Sequence, residues 1–244
     1  MKNNLSHAQR LSVMFVYCVI TLSIFKLVAS AIEPYFVYGC TYKTGEFTPL
    51  ILIIFIIPMI IMVKKIGLSF KEMGFHLDNW RSNIIVSIIS SILFCGVITL
   101  ILWFLVDDVT MFKPIGLLKC YQGASDLSII LVPLIYIIFV FLQVLLVHGI
   151  LQSTFITLLD IKYKGILTVI IIVLLFSNFH LDLGIAYGLI VIPPGIFWST
   201  LFLKQRSLLS VYISHCIIGV WALFVLSYVD LIKVFQDFLE FYKP

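Results

Sequence analysis

The composition of this 244-residue chain excludes an ordinary soluble protein. Hydrophobic residues make up 62% of the sequence and charged residues only 11%, whereas soluble globular domains average about 45–50% and about 25%. So little polar surface requires lipid to cover the remainder, and the modest net charge of +4 gives no reason to expect a nucleic-acid partner.

Seven apolar segments are candidate transmembrane helices, since a spanning helix needs about 20 mainly apolar residues. In chain order they are residues 11–31, 48–63, 83–106, 128–158, 165–181, 185–203 and 208–228. The sixth contains Pro193-Pro194, which we expect to break or kink it, because proline removes a backbone donor and clashes with the preceding turn. The sequence therefore predicts an all-α, polytopic transmembrane helical bundle with about seven spans, between six and eight, forming a single membrane domain over residues 1–244.

Basic residues sort unevenly across the membrane if the N-terminus lies inside, with Lys26 in the first span. The ten inner ones are Lys2, Arg10, Lys64, Lys65, Lys71, Arg81, Lys162, Lys164, Lys204 and Arg206, and the five outer ones are Lys43, Lys113, Lys119, Lys233 and Lys243. Of the twelve acidic residues, only Glu72, Asp78 and Asp160 lie inside. The positive-inside rule then predicts a cytoplasmic N-terminus.

Two connecting segments and two cysteines lead to further expectations. Residues 64–82 mix basic with aromatic and aliphatic side chains, so we expect them to lie at the lipid headgroups. The tail 230–244 is either an amphipathic helix at the membrane surface or part of an eighth span. Cys40 and Cys120 both fall in outer loops, where they either form a disulfide in an oxidising compartment or remain unpaired thiols.

Several kinds of intramembrane chemistry are missing from the sequence. No carboxylate lies in the middle of a candidate span, which excludes a pair of intramembrane aspartates and disfavours a proton-coupled transporter. Neither an H-E-x-x-H zinc motif nor a G-x-S-x-G elbow occurs. The polar side chains that remain inside spans are His148, His180, His215, Gln143, Gln152 and Asn178. Each histidine either forms part of a functional site or hydrogen-bonds between helices.

The three histidines lie in three short motifs. The fourth segment contains Gln143-Val144 followed by His148-Gly149, the fifth contains F-x-x-x-H ending at His180, and the seventh contains H-x-x-x-G beginning at His215. Over roughly residues 125–225 this layout resembles the CPBP family. That family comprises intramembrane proteases that include type II CAAX prenyl endopeptidases and bacteriocin-processing or immunity (Abi) proteins. Its signature is E-E-x-x-x-R-G, then F-x-x-x-H, then H-x-x-x-N or H-x-x-x-D.

The departures from this signature affect residues to which the family's catalytic chemistry is assigned. Phe176 and His180 match the second motif in full. In the third motif His215 matches, but Gly219 stands where the family has asparagine or aspartate. In the first motif Gln143 and Val144 replace the two glutamates, and His148 replaces the arginine.

The resemblance implies that the family's active-site positions are His148, His180, His215 and Gln143 here. In the family, one glutamate is thought to activate water, while the histidines orient it or stabilise the oxyanion. Glutamine cannot accept the proton, and losing a general base typically costs about 10²–10⁴-fold in rate. The resemblance thus predicts a catalytically degenerate CPBP-type protein that binds or regulates a membrane partner or hydrophobic peptide, as a scaffold or in bacteriocin immunity.

Three alternatives stay open from the sequence alone. One is an active intramembrane endopeptidase with a non-standard histidine site, acting on a peptide precursor or a prenylated substrate. Another is a helical membrane protein unrelated to the family. A third concerns cofactors: none is expected, but zinc held by His148, His180 and His215 requires only that the three converge. The resemblance places the protein in a bacterial plasma membrane.

Overall fold

A computed structural model describes residues 6–32, 48–105, 136–181 and 185–222 of the chain, and within these ranges it contains helices and no strand. The helices are α1 (His7–Ile32), α2 (Thr48–Ile66), α3 (Trp80–Leu105), α4 (Tyr136–Leu158), α5 (Lys164–His180), α6 (Ile185–Ile190), α7 (Ile192–Gln205) and α8 (Leu208–Val220). Every candidate span predicted from the sequence coincides with one or two of them. The predicted all-α class is confirmed.

The helices have the lengths and apolar composition of a membrane protein. In the part of the chain that is described, three stretches are long and apolar enough to cross a bilayer: Trp80–Phe104, Tyr136–Leu158 and Ile185–Gln205. Two shorter apolar helices, α5 and α8, accompany them. The membrane-type bundle is therefore confirmed, with seven as an approximate number of spans.

The predicted interruption of the sixth segment lies at Val191, between α6 and α7. Its backbone angles, φ −82° and ψ −5°, depart from α-helical values. Pro193 and Pro194 then occupy the first turn of α7, where their missing N–H groups cost no intrahelical hydrogen bond. The break thus precedes the prolines.

The connection between α2 and α3 is shorter than the sequence predicts. Helix α2 continues to Ile66 and includes Lys64 and Lys65, which the sequence places in a loop of residues 64–82. Cations in the last turn of a helix are stabilised by its macrodipole, which favours this extension. The connection that remains, residues 67–79, is here called the inner connection.

Helix α4 is the centre of the bundle. It packs against α1, α2, α5, α7 and α8, while α3 packs mainly on α8. Accordingly 61% of the α4 span is buried inside the protein but only 17% of the α3 span. The outward side chains of α3, such as Leu93 and Phe104, are apolar and exposed. This face is suited to contact with lipid.

The inner connection is attached to the turn between α7 and α8. The carbonyl of Gly74 accepts a hydrogen bond from the Leu208 amide at 3.1 Å. His76 Nε2 lies 2.8 Å from the Arg206 carbonyl, and because a carbonyl only accepts, this nitrogen carries the proton. Arg206 in turn donates to the carbonyl of Glu72 at 3.1 Å. These three bonds join a loop near the start of the chain to the helices that carry the third motif.

Hydrogen bonds between Ser69 and Glu72 stabilise the turn inside the inner connection. The Glu72 carboxylate accepts hydrogen bonds from the hydroxyl and the backbone amide of Ser69, both at 2.7 Å. These bonds favour the ionised form and hold the pKa of Glu72 below its usual value of 4.5. Phe70 beside them is 70% exposed. Location of this loop at the lipid headgroups stays a prediction.

Candidate functional site

The middle of α4 departs from α-helical geometry where the first motif lies. Residues Leu145–Gln152 form a π-helix, in which each turn contains an extra residue. His148 is 2% exposed and Gln152 is fully buried. Such wide turns are rare and frequently occur at functional sites.

Gln152 determines the tautomer of His148. Its amide nitrogen donates to the carbonyl of Ser199 on α7 at 2.8 Å, so its amide oxygen is the atom that faces His148. That oxygen lies 2.6 Å from His148 Nδ1 and can only accept. The proton of the neutral imidazole is therefore on Nδ1, and Nε2 carries the lone pair. A chain of two hydrogen bonds thus joins the first motif to α7.

His180 ends α5 in a similarly defined orientation. Its Nδ1 lies 2.7 Å from the carbonyl of Phe176, one turn earlier, and donates to it. The two rings of this F-x-x-x-H pair are in contact, with centroids 4.6 Å apart. Nε2 of His180 is thus the nitrogen left with a lone pair.

His215 stacks on a tryptophan that the sequence motifs do not include. The ring of Trp198 lies parallel to it, with a centroid distance of 3.7 Å and an interplanar angle of 18°. Phe176 packs edge-on against both, at 6.1 Å from His215 and 5.8 Å from Trp198. His148 belongs to the same region through Gln152, which donates to the carbonyl of Ser199, the neighbour of Trp198. We call the three histidines with Phe176 and Trp198 the histidine cluster.

Three polar atoms at the histidine cluster are buried without a hydrogen-bond partner among the described residues. They are His215 Nδ1, Trp198 Nε1 and Ser199 Oγ. A buried unsatisfied polar atom costs about 1–3 kcal/mol, so such groups call for an added partner. Together they leave hydrogen-bonding capacity unused on α7 and at His215 of α8.

The positions of the family's glutamates contribute no charge to this cluster. Val144 is buried in the core, whereas Gln143 is half-buried and makes no hydrogen bond to another residue that the structure describes. The described carboxylates, Glu72, Asp78 and Asp160, are exposed in connections between helices. No carboxylate within the described ranges therefore adjoins the histidines.

The orientation of the three histidines bears on the zinc alternative. No group of three His, Cys, Asp or Glu side chains in the described ranges is arranged to hold a metal ion. Nδ1 of His148 and Nδ1 of His180 both donate within the protein, and Nε2 of each keeps a lone pair, as in most metal-ligating histidines. Zinc binding by the three histidines stays a prediction.

Two residues of the site could not be identified from the sequence. Trp198 lies outside every motif, and in a chain that is 15% aromatic its residue type gives no signal. Tyr136 lies against Gly219, because a Cβ atom at Gly219 would overlap the Tyr136 hydroxyl oxygen. A glycine in an apolar helix is a general indication of close approach, but it does not say which residue approaches.

The fold and the histidine cluster define a helical membrane protein with a buried polar site in its bundle. Within that class, residues 124–221, about two fifths of the chain, match the family model described as Type II CAAX prenyl endopeptidase Rce1-like. The matched segment includes every motif residue and confirms the resemblance to the CPBP family. No curated protein and no solved structure matches the chain.

Proposed function

We propose that this CPBP-type membrane protein binds a hydrophobic peptide segment of a membrane partner at the histidine cluster without cleaving it efficiently. One observation carries the proposal. His180 and His215 both contact Phe176, and His215 stacks on Trp198. His148 is joined through Gln152 to Ser199, the neighbour of Trp198, yet Gln143 and Val144 replace the glutamates that the family uses.

The hydrogen bonds of the cluster favour binding over acid–base chemistry. An amide such as that of Gln143 has no basic lone pair near neutral pH, and valine has none at all. Without a carboxylate base, hydrolysis loses about 10²–10⁴-fold in rate. The unpartnered atoms His215 Nδ1 and Trp198 Nε1 are still able to hydrogen-bond a peptide backbone, which needs such partners in a membrane.

An apolar cleft between α1 and α2 supports a hydrophobic ligand. It has a volume of about 330 Å³ and is lined by Tyr17, Ile20, Thr21, Ile24, Phe55 and Pro58. A second, narrower pocket shares Thr21 and Phe55 with it and extends to Leu151 in the π-helix and Phe179, next to His180. Apolar side chains or a lipid tail would therefore find room in the cleft between α1 and α2, and the narrower pocket lies between that cleft and the π-helix.

A specific feature of His180 favours a second candidate, a slow endopeptidase. With the proton on Nδ1, its Nε2 is a free acceptor, and a neutral imidazole is able to act as a general base. Histidine-based hydrolysis would need no carboxylate.

Peptide binding and cleavage measured on the same sample distinguish the two candidates. The purified protein in detergent is mixed with a fluorescent farnesylated peptide that ends in a CAAX sequence and, separately, with a leader-bearing peptide. We expect saturable binding by fluorescence anisotropy and intact peptide by mass spectrometry. His180→Ala should weaken binding roughly 2- to 10-fold, the effect of one lost hydrogen bond. The control His7→Ala, at an exposed histidine of α1, should change nothing.

Turnover that His180→Ala abolishes and His7→Ala preserves would establish the endopeptidase and refute the binding role. Absence of saturable binding by either peptide would also contradict the proposal.

A further inference from the structure

Gly219 and Tyr136 share one position in the bundle. A Cβ atom at Gly219 would overlap the Tyr136 hydroxyl oxygen and would lie 2.7 Å from Tyr136 Cζ and 3.2 Å from Cε1. The phenol of α4 thus occupies the space where any side chain at position 219 of α8 would begin. Gly219 is one helical turn after His215 and lies on the same face of α8.

Helices α4 and α8 run antiparallel, so the start of α4, which contains Tyr136, packs beside the end of α8. Three contacts between them show residue numbers rising on one helix while they fall on the other: Tyr136 with Gly219, Phe141 with Tyr212, and Gly149 with Leu208. His215 lies between Tyr212 and Gly219 and is therefore opposite the part of α4 between Tyr136 and Phe141.

Tyr136 and Gln143 lie on the same face of α4. They are seven residues apart, which is close to two helical turns, and Val140 between them on this face is fully buried. The face that carries the first-motif position thus also carries the phenol. A tyrosine hydroxyl both donates and accepts hydrogen bonds, as an asparagine side chain does through separate atoms.

We propose that Tyr136 supplies from α4 the polar group that Gly219 lacks on α8, and that its hydroxyl hydrogen-bonds the bound peptide beside His215. The ligand in this inference rests on the proposed function. The close approach of Tyr136 to Gly219 does not rest on the proposed function, because it follows from the contact alone.

The shared position is tested first, without any ligand, by a double-mutant cycle on thermal stability in detergent. Gly219→Asn alone should lower the melting temperature, since the new side chain and the phenol compete for one space. Tyr136→Ala combined with Gly219→Asn should recover much of that loss. Gly96→Ala is the control, because a Cβ there meets no atom within 4 Å. Additive effects in the cycle would refute the shared position.

The hydroxyl is tested next by binding of the same farnesylated peptide. Tyr136→Phe keeps the ring over Gly219 and removes only the oxygen, so the melting temperature should stay unchanged while binding weakens roughly 2- to 10-fold. Tyr163→Phe, at an exposed tyrosine, should bind like wild type. The double variant with Tyr136→Ala and Gly219→Asn should bind better than Tyr136→Ala alone, because an amide then fills the position.

The outcomes separate the two proposals. Unchanged affinity in Tyr136→Phe, with wild-type protein still binding, would refute the role of the hydroxyl and leave the proposed function standing. Failure of wild-type protein to bind the peptide would refute the proposed function and the peptide contact together, while the stability cycle would still decide the shared position.

Discussion

His148 and Gln152 show how a single pair of polar residues is accommodated in an apolar bundle. Both are buried, and each uses its hydrogen-bonding capacity on a defined partner: His148 on Gln152, and Gln152 on the Ser199 carbonyl of α7. A buried polar group is tolerated when it is satisfied and is costly when it is not. The pair therefore contributes mainly by keeping His148 in one tautomer.

Replacing both members of this pair should lower the free energy of unfolding by less than the sum of the two single replacements. We expect Gln152→Leu to lower the free energy of unfolding by about 1–3 kcal/mol, because it leaves the buried His148 Nδ1–H without an acceptor. His148→Leu should cost less stability in the Gln152→Leu variant than it does in wild-type protein. Thr157→Leu, at an exposed threonine of the same helix, should stay within about 0.5 kcal/mol. Thermal unfolding in detergent measures these effects, and strict additivity of the two core substitutions would contradict the pairing.

At the scale of elements, the inner connection is organised by backbone geometry that only glycine adopts easily. Gly67 and Gly74 have φ of +79° and +90°. Gly67 has open space where a Cβ would lie. At Gly74 a Cβ would lie 2.9 Å from Phe202 and 3.0 Å from the Arg206 carbonyl. Close approach to α7 therefore adds to the conformational requirement only at Gly74.

The two glycines allow strain and contact to be separated experimentally. Gly67→Ala should cost about 1–2 kcal/mol, the penalty of a left-handed conformation with a side chain. Gly74→Ala should cost clearly more, because the loop must also move away from the turn between α7 and α8. Thermal unfolding measures both variants in one detergent. Equal losses would show that the close approach at Gly74 is unimportant for stability.

The whole molecule presents an uneven charge distribution that predicts its orientation. Basic residues outnumber acidic ones on the side of the N-terminus, which includes the inner connection. The structure identifies where a reporter can be placed on that side, since Leu77 is 70% exposed. The cytoplasmic location of this surface is a prediction from charge.

Labelling with a membrane-impermeant maleimide in intact cells tests the orientation. Leu77→Cys, in a protein whose Cys40 and Cys120 are replaced by serine, should react only after the cells are permeabilised. A protein that retains Cys40 and lacks the reporter should react in intact cells, because the sequence predicts an outer location for that residue. Labelling of Leu77→Cys in intact cells would reverse the orientation.

The membrane class and most of the helices could be read from the sequence because they depend on local properties. Long apolar segments predict where helices lie, and Pro193-Pro194 predicts the break at Val191 to within two residues. The order of F-x-x-x-H and the two other histidine motifs likewise predicted the family match over residues 124–221. Helix ends were less well defined, as Lys64 and Lys65 show. Cys40, Cys120 and the tail 230–244 lie outside the described residues.

The sequence by itself determined a helical membrane protein that resembles the CPBP family over residues 124–221 and in which the motif glutamates are replaced. Only the tertiary structure decided that Trp198 stacks on His215, that Gln152 orients His148, and that Tyr136 fills the space beside Gly219. The physical reason is the composition of the helices. Helices that are apolar all round do not indicate which face meets which neighbour, so rotation and register are set by packing between residues distant in the chain.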